Sequence, residues 1–136
     1  MCDFFNDLTN QEKKLIQEVP LPEWFEPMLA TLTNDRFSDP DWIYEPKFDG
    51  ERALTFFSDK KAKIFSRNKH ALDMTYPDLV GAYKNQICDN FIIDGEIAAF
   101  NEKDVTSFSQ LQKRLGLKEI SLKEALKVPV GVLPII

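Results

Sequence analysis

The hydrophobic pattern of this chain changes period several times, and each change marks an element. Thr9 and Glu12 stand three apart, as in a capping box with Thr9 as N-cap, so a short helix opens there and ends by Pro20. Pro20, Pro22 and Pro27 force an extended connector into PMLATL at 27–32, and the Asn, Asp, Ser and Pro content of 34–41 reads as a loop. From Trp42 the period falls to two. In WIYEPK, Trp42 and Tyr44 share one face and Ile43, Glu45 and Lys47 the other, which predicts a strand running into a tight turn at Asp49 and Gly50. ERALTFF continues as a second strand, with Phe56 and Phe57, like Phe48 before them, expected in the core. KAKIFSRN follows after a turn at 58–60.

Leu79, Val80 and Tyr83 then recur at helical spacing within 76–86. FIIDGEIAAF reads as two short apolar strands interrupted at Asp94 and Gly95, with Glu96 sharing a face with Asp94 and Ala98 rather than Ile97. A helix is predicted over 107–115 and another over 121–127, where Ser121 and Glu124 form a second capping box. VPVGVLPII at 128–136 is apolar like a core strand, yet it carries Pro129, Gly131 and Pro134, and a paired strand tolerates proline poorly. These elements predict an α+β class of antiparallel strands with flanking helices. Residues 1–21 form an N-terminal helix and connector, and 22–136 the main unit.

Composition narrows the function classes. The 136 residues make one domain of ordinary size, and 43% hydrophobic with 12% aromatic content is enough to build a core. A net charge of −5 offers no general basic footprint, so any contact with nucleic acid must come from a local patch. Lys60, Lys61, Lys63, Arg67 and Lys69 form such a cluster. On a continuing strand Lys61, Lys63, Arg67 and Lys69 would share one face, either contacting DNA phosphates or making a solvated hairpin. Cys2 and Cys88 match no metal spacing and read as a reduced intracellular pair, with a single disulfide as the alternative. His70 is the single histidine, which argues against a His-built metal site or a Ser–His–Asp triad. The first residues carry acids where a signal peptide would be basic, and no long apolar run follows. A soluble cytoplasmic protein without a membrane partner is expected.

The candidate chemistry lies in K-x-D-G-x-R, spelled by Lys47, Asp49, Gly50 and Arg52. A lysine at the end of a strand attacks only as the free amine, and desolvation or a neighbouring cation favours loss of its proton. Gly50 lets the backbone approach a ligand, and Arg52 can grip phosphate oxygens with its planar fork. The same residues would also suit a hairpin turn with a snorkelling lysine.

K-x-D-G-x-R is the first motif of the covalent nucleotidyltransferases, and two further signatures follow in that family's order. Ser66, Arg67 and Asn68 resemble motif Ia, and Asp94, Gly95 and Glu96 resemble motif III. PMLATL, WIYEPKFDGER and the helix FSQLQKRL at 108–115 resemble the ATP-dependent DNA ligases of bacteria, archaea and their viruses, including the end-joining type. The resemblance implies an ATP-grasp-like adenylation domain in which Lys47 takes AMP from ATP as a phosphoramide. AMP would pass to the 5′-phosphate of nicked double-stranded DNA, and the 3′-hydroxyl would displace it, with Mg²⁺ or Mn²⁺ as the metal. It further implies that Glu45 reads the adenine and that Arg52 and Arg67 contact ribose or phosphate. Glu96 would meet the ribose or, through water, the metal, while Asp49 and Gly50 shape the turn. An end-joining polymerase or an end-binding protein would be the partner. RNA ligases and capping enzymes share K-x-D-G; the flanks favour DNA ligase.

Three departures temper the resemblance. Lys69 stands where many ligases have glycine after motif Ia. No counterpart of the family's motifs IV and V or of its OB-fold follows, and VPVGVLPII falls where motif IIIa would form. The expectation is therefore a C-terminally truncated adenylation domain. Alone it would be inactive or very weak, and it would self-associate through an apolar strand edge. A non-catalytic remnant or interaction module is the alternative.

Overall fold

The computed structural model describes residues 5–17 and 19–135. Cys2, and with it the expected redox state of the cysteine pair, lies outside the described residues. The frame is a four-stranded antiparallel sheet of β1 (Glu51–Ser58), β2 (Lys61–Ser66), β3 (Phe91–Ala99) and β4 (Val130–Pro134), in the order β2-β1-β3-β4. β1 is central and flanked on both sides, which is why five consecutive residues from Ala53 to Phe57 are all buried. β2 lies at an edge and alternates, with Lys61 and Lys63 exposed and Ile64 and Ser66 buried. Asp59 and Lys60 close the β1–β2 hairpin with left-handed φ values of 50° and 61°, the conformation that a two-residue turn of this twist demands.

Side-chain parity divides the sheet into two faces. Ala53 and Phe57 of β1, Ile64 of β2, and Ile97 and Ala99 of β3 point to one of them. There they meet Tyr76, Leu79 and Tyr83 around α2 (Pro77–Tyr83), and Leu111 of α3 (Phe108–Leu111). Arg52, Leu54 and Phe56 point to the opposite face, where Trp24 and Phe25 from the connector pack their rings on Phe56 at 6.2 and 5.8 Å. Both capping boxes form. Thr9 and Glu12 open a four-residue helix at Asn10–Lys13, and Ser121 and Glu124 open another at Leu122–Ala125.

Arg114, on the turns after α3, is 1% exposed and stitches the helical layer together. Its guanidinium takes both Asp78 oxygens at 2.6 and 3.0 Å, donates to the carbonyls of Thr75 and Val128, and stacks over Tyr76. It thereby joins the start of α2 to the lead-in of β4.

Three expectations need correction, and one open reading is resolved. WIYEPK forms no strand, and Trp42, Ile43 and Tyr44 are exposed, so Asp49 and Gly50 close no hairpin with it. Alternation creates a strand only where a neighbour completes the ladder, and β1 already has β2 and β3 on its two edges. FIIDGEIAAF is one unbroken strand rather than two, because Gly95 is needed for close packing, not for a turn. A Cβ there would stand 2.8 Å from the Leu133 carbonyl oxygen of β4. The segment at 128–136 does contain a strand. Its prolines are tolerated because β4 is at the edge and pairs only with β3. The predicted helix over 107–115 shortens to Phe108–Leu111 with turns beyond.

Candidate active site

The end of the sheet where β1 begins and β2 finishes carries an open cleft of about 740 Å³. Lys47 and Gly50 enter it from the segment before β1, Arg67 and Asn68 from the turn after β2, and Glu96 from β3. Three stretches remote in sequence therefore converge because β1 lies between the other two. Gly50 is what allows the approach. A Cβ at this position would overlap the Ile97 carbonyl oxygen and lie 2.8 Å from Glu96 Cγ, so only glycine lets the lysine-bearing segment sit against β3.

Glu96 is a carboxylate of the cleft whose surroundings shift its proton affinity. Burial pushes its proton affinity above the ordinary glutamate range, and nearby Asp49 adds to the rise. Lys47, the Gly50 backbone N–H and Arg52 pull the other way. As parity predicts, Glu96 faces away from buried Ile97 and stands opposite Arg52 across the β1–β3 ladder. Leu29, Ala30, Phe108 and Leu115 add apolar wall to the same cleft.

The remaining expected site residues are distributed differently. Arg52 lines the cleft, but its fork is occupied: Nε and Nη2 donate to the two oxygens of Asp94 at 3.0 and 2.8 Å. Glu45 and Asp49 are exposed and outside the cleft lining. The basic cluster is not one face. β2 ends at Ser66, and the chain turns so that Ser66 N–H donates to the His70 carbonyl at 2.9 Å. Arg67 goes to the cleft, while Lys69 swings over the Trp24 ring, 5.5 Å from its centroid, with φ at 62°. Lys60 pairs with Asp89 at 2.8 Å, leaving Lys61 and Lys63 beside Phe56 on the connector side. Among residues the sequence reading left without a role, Glu51, Ser66 and His70 line the cleft, and Glu51 accepts a 2.7 Å hydrogen bond from Tyr76. Glu51 adjoins Arg52 in the motif, which was the available signal.

The donor set does not amount to a protein-built cation site. Among the described residues no three His, Cys, Asp or Glu side chains gather, and both oxygens of Asp94 are taken by Arg52. No described helix is long and apolar enough to cross a membrane.

A family model for the ATP dependent DNA ligase domain matches residues 27–132, which include all the residues converging on the cleft. The chain belongs to the ATP-dependent DNA ligase family. It is 40% identical over 108 residues to a probable DNA ligase of Koribacter versatilis, covering 76% of this chain and 19% of that one. Against a DNA ligase of Sulfolobus acidocaldarius it is 35% identical over 133 residues, 88% of this chain and 21% of the other. The chain thus spans about a fifth of the length of these two ligases. Among solved structures, the ligase domain of M. tuberculosis LigD superposes with a TM-score of 0.53 at 26% identity, over 67% of this chain and 27% of that one. A mycobacterial DNA ligase D complexed with ATP and MES gives 0.52 at 24% identity over 66% and 27%, a likeness of fold. Small antiparallel α+β architecture, expected from the element pattern, and ligase membership, expected from the motifs, therefore hold.

Proposed function

We propose that the cleft is the adenylation site of an ATP-dependent DNA ligase, and that Lys47 is its nucleophile. The observation that carries this reading is the convergence of Lys47, Arg67 and Glu96, one from each signature, on a single cleft. The free amine of Lys47 attacks the α-phosphorus of ATP. A P–N bond forms, the bond to the bridging oxygen of the β-phosphate breaks, and pyrophosphate leaves. A 5′-phosphate oxygen at a nick then takes AMP from the lysine. The 3′-hydroxyl attacks that phosphate and expels AMP, sealing the strand. Arg67 and the free N–H groups of Arg52 hold phosphate or ribose, and Glu96 accepts from the ribose hydroxyls. Glu45 would reach the adenine only if the exposed 42–47 segment moved towards the cleft. Any Mg²⁺ or Mn²⁺ would be held by the nucleotide phosphates, with Glu96 reaching it only through water, so no step is assigned to it. Lys61, Lys63 and Lys69 are proposed DNA-phosphate contacts outside the cleft.

Residues 22–136 are the proposed adenylation unit and 1–21 its lead-in. A cytoplasmic location, nicked duplex as substrate and an end-joining polymerase or end-binding protein as partner go with this reading. One relative is a multifunctional non-homologous end joining protein, LigD of Pseudomonas aeruginosa, 30% identical over 70% of this chain and 11% of its own length.

Incubation with α-labelled ATP should give an acid-labile adduct on Lys47, faint in the 136-residue chain. Lys47→Arg should abolish it, because a guanidinium stays protonated. A label that survives the substitution would refute the assignment. Nick sealing by these residues alone is expected to be negligible. The groups that face ATP line one side of an open cleft, and positional and electrostatic terms are each worth on the order of several kcal/mol of barrier.

A further inference from the structure

Arg52 is held at three points. Besides the two bonds to Asp94, its Nη1 donates to the Met28 carbonyl at 2.7 Å. Arg52 stands opposite Glu96 and Leu54 opposite Asp94, so Asp94 is the diagonal neighbour of Arg52 on the same face of the sheet. A bidentate pair fixes the guanidinium plane as well as its position. With the plane fixed, Nη1 can point only at the connector, whose next residues, Leu29 and Ala30, line the nucleotide cleft. Asp94 itself cannot drift. Its backbone carbonyl accepts from Ile135 N–H at 3.0 Å, and the adjoining Gly95 is pressed against the Leu133 carbonyl. The paired side chains are 20% and 26% exposed, so solvent screens them only in part.

We propose that Asp94, which does not line the cleft, is a positioning residue: through Arg52 it fixes the strap at 27–30 as a wall of the nucleotide site. This rests on the adenylation reading of the cleft and names a determinant of ATP affinity outside it. Asp94→Asn keeps the shape but removes the charge, whereas Arg52→Lys keeps the charge but loses the fork.

Two measurements on the full 136-residue chain test the proposal: backbone order at 28–31 from NMR relaxation without nucleotide, and ATP binding by titration calorimetry. Each variant should keep the wild-type circular dichroism spectrum. Order at 28–31 should fall clearly below that of the wild type and ATP affinity should fall about tenfold, as loss of a charge-assisted hydrogen bond predicts. Asp94→Glu should recover part of both. If Asp94→Asn does not fold, Arg52→Lys carries the test through strap order, since Arg52 itself lines the cleft. Folded variants with wild-type strap order and affinity would overturn the proposal. If the wild-type chain does not bind ATP, the adenylation reading fails and strap order alone decides whether Asp94 positions the strap.

Discussion

Glu96 lines the cleft at some expense to the fold. Its carboxyl is raised by burial, so the folded state holds the proton more tightly than the unfolded chain does. The stability it contributes is fully present below the ordinary glutamate value of 4.5 and is lost as pH rises through the folded value. At neutral pH the ionised group is therefore a small liability. Glu96→Gln should raise Tm slightly at pH 7, and thermal melts should show that gain vanish as pH falls towards the ordinary glutamate value. The same substitution should weaken adenylylation, the usual trade between stability and function. The place of Glu96 in the cleft was legible in D-G-E. The commitment of Arg52 to Asp94 was not, because a salt bridge across two strands depends on register, which no local pattern reveals.

At the scale of elements, the helical layer is held to the sheet by apolar contact and stitched together by a buried cation. Arg114 satisfies Asp78, two carbonyls and the Tyr76 ring at once, although its Nε finds no partner. Removing it would strand the Asp78 carboxylate, whose side chain is 13% exposed. Arg114→Met should cost about 3–5 kcal/mol in urea unfolding, the range for breaking a buried pair by removing one partner. Double substitution with Asp78→Leu should recover much of that loss, since apolar replacements of both partners are often neutral. FSQLQKRL has the pattern of a helix, but nothing in it marks this arginine as buried, because burial of a charge is visible only once its partners are placed.

Over the whole molecule, the apolar core lies between the sheet and α2, whereas the long connector between the N-terminal helix and β1 leaves Leu32 93% and Ile43 83% exposed. Apolar surface spread along 28–44, together with the outer edge of β4, favours contact between copies of the chain. Sedimentation velocity should show association that grows with concentration, and the pair Leu32→Lys with Ile43→Lys should reduce it. An unchanged distribution in that variant would assign the contact elsewhere, to the β4 edge.

Local chemistry alone determined the β1–β2 hairpin, both capping boxes, the α2 helix and the three signatures, since each depends on residues within about one turn or one strand of one another. Tertiary structure decided the rest. WIYEPK has the alternation of a strand but no neighbouring ladder to complete it, and VPVGVLPII has prolines yet joins the sheet because only its inner edge must pair. The cleft itself is a product of strand order. Lys47 and Glu96 lie 49 positions apart in the sequence, and only the β1–β3 pairing, with Gly50 pressed against Ile97, sets them in the same site.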